Sequence, residues 1–153
     1  YAYRDADTAP VPVKMVFGAV GPSSFYPEDW NNYGFDQKGS EDAAAGLFSV
    51  MCGTPLTADM FGTESYDEAV KDVSALLWVD ENTVPSLLCY GAHDKMQPYL
   101  ASVRLNEALT EHGVPHDYIV CKHSGHGLQN DNKQYIEYMR KIVEYLGTYM
   151  PTE

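Results

Sequence analysis

The segment from Val84 to Leu128 constrains the fold most tightly. It reads as an apolar run in VPSLLCYG, a helical pattern, and a second apolar run in DYIVC. Between them, Leu100, Val103, Leu105, Ala108 and Leu109 recur at roughly the spacing of one helical face, and Gly113 stands where a helix-ending glycine belongs. Two strands joined through a helix run parallel, because an antiparallel return needs only a tight turn, and such crossovers are right-handed. Unbroken apolar runs, rather than alternating ones, belong to strands covered on both faces. The expected fold class is therefore α/β, a parallel sheet with crossover helices.

The flanks extend this pattern. Tyr1 to Arg4 read as the end of a helix, closed by a polar run and by Pro10 and Pro12. VKMVFGAV, Val13 to Val20, is a short β-branched run that suits another two-faced strand, ended by Gly21-Pro22. Residues Ser23 to about Thr63 are rich in Gly, Asn, Asp, Tyr and Trp, with one helix expected at Glu41 to Met51. Irregular aromatic-rich segments of this length are more often lids or binding loops than connectors, so a lid-like insertion is expected over about residues 22–70. A helix is expected over Tyr66 to Leu77, with Ser65 as N-cap and Glu68 completing a capping box. The last helix is expected over Tyr135 to Tyr149, with Ile136, Met139, Ile142, Val143 and Leu146 on one face.

At 153 residues, 44% hydrophobic, the chain is long enough for one domain that buries roughly 70% of its unfolded surface. The 10 Lys and Arg against 22 Asp and Glu give a net charge of −12, which argues against nucleic acid or an acidic membrane surface as partner. No run of 18 apolar residues occurs, so no membrane span is expected. Of the three cysteines, Cys52, Cys89 and Cys121, two lie inside apolar strands, and free thiols are expected. Cys121, His123 and His126 form a C-x-H-x-x-H cluster, but a zinc site needs a further ligand with its own spacing, and none is evident. Neither metal nor cofactor is expected.

The chemistry-bearing residues are Asp94, in the turn leaving the Pro85 to Tyr90 strand, and His126, in the Gly-rich loop after the last strand. In open parallel sheets, sites form outside the carboxyl ends of strands, where both of these residues fall. A serine hydroxyl becomes a useful nucleophile when a neutral imidazole accepts its proton, and a carboxylate on the far ring nitrogen fixes the tautomer. The nucleophile of such a set sits on a sharp G-x-S-x-G turn between strand and helix. No G-x-S-x-G occurs in these residues, and none of the serines present has its surroundings.

GAHDKMQP resembles the G-x-x-D-x-x-V-P segment of the α/β-hydrolase superfamily, particularly its esterase/lipase, acetyl-xylan-esterase-like branch, and GVPHDYIVCKHSGHGL resembles that branch's final strand and histidine loop. KDVSALLWVDENTVPSLLCYG is similar to the S-P-x-x-Y-V lead into the acid strand, and the resemblance spans about Val13 to Leu146. Met96-Gln97 and Ala75 depart mildly from the pattern. The resemblance implies Asp94 as acid and His126 as base. It also implies a nucleophilic serine and a His-Gly-Gly oxyanion-hole loop upstream. YAYRD resembles the end of the helix after the nucleophile, which would put that serine roughly 10 to 15 residues before Tyr1, about one helix length.

The expected function is thus the carboxy-terminal half of a serine carboxylic-ester hydrolase acting on a small-molecule ester, inactive as this chain alone. Phe25, Trp30 and Tyr33 of the insertion are candidates for an apolar substrate pocket, with packing of the insertion as the competing role. A peptidase of the same superfamily is the alternative within enzymes. A non-catalytic α/β binding module, or half of a split protein, is the alternative outside them. An unpaired edge on the Val13 to Val20 strand would favour self-association.

Overall fold

The computed structural model describes residues 12–30 and 41–151. The expected helix end at Tyr1 to Arg4, and Tyr33, lie outside the described residues. Three strands, β1 (Val16–Ala19), β2 (Ser86–Gly91) and β3 (His116–Cys121), form a parallel sheet in the order β1-β2-β3. Ser86 pairs with Val16 on one side and His116 on the other. Helices α1 (Glu41–Cys52) and α2 (Glu64–Lys71) lie in the first crossover, α3 (Tyr99–Glu111) in the second, and α4 (Asn132–Tyr149) ends the series.

The central strand explains the sandwich. Every residue of β2 is buried. Leu87 and Cys89 pack with Cys121, Tyr138 and Tyr145, whereas Leu88 and Tyr90 pack with Leu105, Leu109 and Val114. The period-2 alternation of a strand thus sends successive side chains to α4 on one face and α3 on the other, which is why this stretch is apolar without interruption. Truncating Leu109, which is fully buried on α3, would cost about 2–5 kcal/mol. β1 departs from expectation. It is shorter than Val13 to Val20, has Val16 exposed rather than both faces covered, and among the described residues pairs on one side only.

Two helices correct the sequence expectations. α2 is capped by Thr63, whose hydroxyl accepts the Tyr66 N–H at 3.3 Å, while Ser65 lies inside the helix. It stops at Lys71 because buried Ser74 engages the chain elsewhere: its hydroxyl donates to the Val70 carbonyl and accepts the Phe25 N–H. Residues up to Trp78 then form a separate 3-10 turn, Ala75–Trp78. In α4 the side toward the sheet is Tyr138, Ile142, Tyr145 and Tyr149. Ile136, Met139, Val143 and Leu146 are exposed, Val143 by 69%. Periodicity detected an apolar stripe but not a second, aromatic one about a quarter-turn away. Tyrosines fill the sheet side because their rings bury while the hydroxyl finds a partner, as Tyr145 Oη does in donating to the Ser86 carbonyl.

The insertion has its own core. Phe25, Trp30, Ala44, Ala45, Phe48, Leu56, Tyr66 and Val70 cluster together, with Phe48 edge-on to both Phe25 and Trp30. Among the described residues, no helix is long and apolar enough to cross a membrane.

All three cysteines are free. Cys89 and Cys121 are fully buried with sulfurs 3.8 Å apart. Burial, reinforced by Cys121, pushes the Cys89 thiol up to about 12, and burial likewise raises Cys121. The thiolate is the reactive form, so at pH 8 a native sample should be alkylated by iodoacetamide at Cys52 alone, with Cys89 and Cys121 labelled only in denaturant. Peptide mass mapping of native and unfolded samples checks this.

Candidate active site

The parallel pairing of β2 with β3 brings two loops side by side at the carboxyl end of the sheet. Gly91 ends β2 opposite Cys121. It is glycine for reasons of space: a Cβ there would stand 2.3 Å from the Gly125 carbonyl oxygen and 2.6 Å from that of Ser124. With no side chain between them the loops bond directly, Ala92 N–H to the Cys121 carbonyl and His93 N–H to that of Ser124.

Asp94 sits in the first loop, buried to 3% exposure. Its Oδ1 accepts the backbone N–H groups of Met96 at 2.8 Å and Gln97 at 3.0 Å, an Asx turn that aims the carboxylate before α3 begins. Its Oδ2 lies 2.9 Å from His126 Nδ1. An ionised carboxylate only accepts, so Nδ1 carries the proton, and in the neutral ring Nε2 then holds the lone pair. The His126 side chain is 43% exposed against 1% for that of Asp94. The structure therefore brings together the two residues singled out in the sequence, as a buried carboxylate orienting a partly open imidazole.

A second carboxylate, not singled out by sequence reasoning, lies beneath the same loop. Asp131 Oδ1 is 2.9 Å from His123 Nδ1, and Oδ2 accepts the Ser124 hydroxyl at 2.6 Å and the His123 N–H at 2.8 Å. Ser124 is wholly buried and bonds to Asp131 rather than to a histidine, so the set is not a nucleophile and base. The C-x-H-x-x-H cluster is drawn apart: Cys121 turns to Cys89, His123 to Asp131 and His126 to Asp94.

Phe25 and Trp30 are buried, at 2% and 3% exposure, inside the insertion's core, where Trp30 Nε1 donates to the Ser24 carbonyl. Both pack within the insertion. Phe25 also contributes to an open cleft of about 890 Å³ with Met51, Val73, Trp78 and Val84, whose walls include neither Asp94 nor His126. Buried Asp29 anchors this part of the chain: both of its oxygens accept Arg104 Nη1, at 2.6 and 2.7 Å, and Oδ2 also accepts the Ser24 hydroxyl.

Residues 26–152 match the prolyl oligopeptidase family. The chain belongs to that family. Among solved structures, an acylaminoacyl peptidase in complex with Z-Gly-Gly-Phe-chloromethyl ketone is similar over 92% of this chain and 20% of its own, at 16% identity and a TM-score of 0.60. The native esterase Est2 of the Planctomycetes species Thermogutta terrifontis is similar over 97% of this chain and 46% of its own, at 16% identity and a TM-score of 0.56. Its butyrate-bound form covers the whole chain and 51% of its own, at 15% identity and a TM-score of 0.56. The chain thus spans about half the esterase and a fifth of the peptidase. No curated protein matches it in sequence. These likenesses establish the α/β-hydrolase fold for the sheet and its helices, in part rather than whole.

Two predictions arise from the loop geometry. Gly91→Ala should force the loops apart, costing about 1–3 kcal/mol by overpacking, and should loosen the His126–Asp94 bond; thermal denaturation measures the first. The second concerns acid. Burial pushes the Asp131 carboxyl upward, but hydrogen bonds from Ser124 and His123 outweigh it and hold the group below its ordinary value of 3.8. A lowered folded-state value means that this contribution to stability is full above the ordinary value and is lost as pH falls through the lower one. The stability gap between wild type and Asp131→Asn should therefore stay level from neutrality to about pH 4 and shrink below it, by denaturant titration at each pH.

Proposed function

We propose that this chain carries the acid and the base of a serine acyl hydrolase, with Asp94 orienting His126. The observation that carries the reading is the 2.9 Å contact from His126 Nδ1 to a carboxylate whose other oxygen is held by two backbone N–H groups. In this reading His126 Nε2 takes the proton of a serine hydroxyl as it attacks the acyl carbon. It returns that proton to the leaving group and then activates the water that frees the acyl-enzyme. The serine comes from a G-x-S-x-G turn upstream of Tyr1 in a longer polypeptide. The absence of that motif from these residues and the partial span of the structural relatives support this.

An ester is the substrate bond that the sequence resemblance favours, and the similar Est2 structures are esterases. Amide cleavage is the second reading, supported by the match to the prolyl oligopeptidase family. Parallel assays on a short-chain nitrophenyl ester and an N-acylaminoacyl nitroanilide separate them.

The 153-residue chain alone should show background hydrolysis of both, since loss of a triad member leaves only a small residue of catalysis. In the longer polypeptide, Asp94→Asn should lower kcat by about 10⁴-fold and His126→Ala by about 10⁶-fold. Turnover by the isolated chain that disappears with His126→Ala would sink the upstream serine. Undiminished turnover by the His126 variant of the longer polypeptide would sink the reading itself.

A further inference from the structure

Asp131 occupies the N-cap position of α4, where an aspartate ordinarily accepts a hydrogen bond from its own helix. Here it makes no such bond. Its buried carboxylate reaches back to the preceding loop, accepting the His123 N–H, the His123 ring at Nδ1 and the Ser124 hydroxyl. The network continues from there. Ser124 Oγ accepts the Asn130 N–H at 2.9 Å, and Asn130 Nδ2 donates to the His123 carbonyl at 2.8 Å. The loop is thus closed at its base by side chains from both ends. Leu128 holds a left-handed φ of 53° while its N–H donates to the Gly125 carbonyl. That conformation is unfavourable for a leucine and persists only where its surroundings hold it. His126 lies inside this tightened turn, and the Ser124 carbonyl is the point at which the turn bonds to the Asp94 loop.

We propose that Asp131 is a positioning residue for His126: by clamping residues 123–131 it holds the imidazole with Nδ1 toward Asp94 and Nε2 outward. The proposal rests on the His126–Asp94 pairing argued above. It assigns a reason for an aspartate that leaves its own helix uncapped. Asp131 touches neither the His126 ring nor any reacting atom, and its influence passes through Ser124 and the backbone.

Long-range ¹H–¹⁵N correlation spectra of the histidine rings in the 153-residue chain test it, because they report which ring nitrogen holds the proton. Wild-type His126, neutral, should be in the Nδ1–H form, and Asp94→Asn should abolish that preference. Asp131→Asn should also abolish it, giving a mixture dominated by the Nε2–H form, although Asp94 is untouched and far-UV circular dichroism is unchanged. Asp131→Glu should restore it in part. If Asp131→Asn does not fold, the His123→Ala/Ser124→Ala double variant, which removes both side-chain donors to Asp131, should show the same loss. A folded Asp131→Asn or double variant whose His126 stays in the Nδ1–H form overturns the proposal. A wild-type His126 in the Nε2–H form would instead remove the pairing on which the proposal rests.

Discussion

The contact between the β2 and β3 loops at Gly91 is the constraint from which the rest of the site follows. Parallel pairing alone brings two strand ends within reach, but side chains at their tips would hold the loops apart. The missing Cβ at Gly91 lets its backbone approach the Ser124 and Gly125 carbonyls, and Ala92 and His93 then donate main-chain hydrogen bonds to the Cys121 and Ser124 carbonyls. Backbone groups that would otherwise be buried without partners are satisfied in the same step. The acid and the histidine, 32 residues apart in sequence, meet because this backbone contact fixes where each turn points.

Three buried aspartates show how the same chemical problem is solved for different ends. A carboxylate removed from water needs donors for its lone pairs, or the charge is too costly to keep. Asp29 is saturated by Arg104 and Ser24 and serves as an anchor. Asp131 is saturated by its own loop. Asp94 differs in that two backbone N–H groups of its own turn occupy one oxygen while the other is given to the imidazole of His126, in the neighbouring loop. That pairing joins the two loops, whereas the Asp131 set closes one loop on itself.

The strands β2 and β3, the helix between them, and Asp94 and His126 were legible in the sequence because each is encoded locally. An unbroken apolar run reports a strand covered on both faces, and the residues just past its end necessarily lie at the sheet's carboxyl edge. What was not legible depends on direction. Asp131 precedes the helix expected at Tyr135, and only the fold reveals that it sits at the N-cap of α4 with its side chain turned away from that helix. The apolar positions of α4 could be counted, but choosing between the stripe of Ile136, Met139 and Val143 and the stripe of tyrosines requires knowing where the sheet lies. Ser65 and Thr63 are both plausible caps two residues apart. The cap is Thr63, and the helix ends at Lys71, ahead of Ser74, which is tied to Phe25 almost fifty residues away.

The start of the insertion bears on what a lid-like segment can do here. Leaving β1, the chain is fastened in turn by Val20 N–H to the Cys89 carbonyl, by Tyr90 Oη to the Gly21 carbonyl and by Leu76 N–H to the Ser23 carbonyl. Phe25 is held from both sides, its N–H by Ser74 and its carbonyl by Tyr66 Oη. Arg104 then ties Asp29 to α3, the helix that begins five residues after Asp94. A segment that opens as a lid is drawn from regions with few buried contacts and exposed backbone bonds. Residues 20–30 have the opposite character. They are fixed to the same frame as the Asp94 loop, with the aromatic rings of Phe25 and Trp30 packed in the insertion's own core.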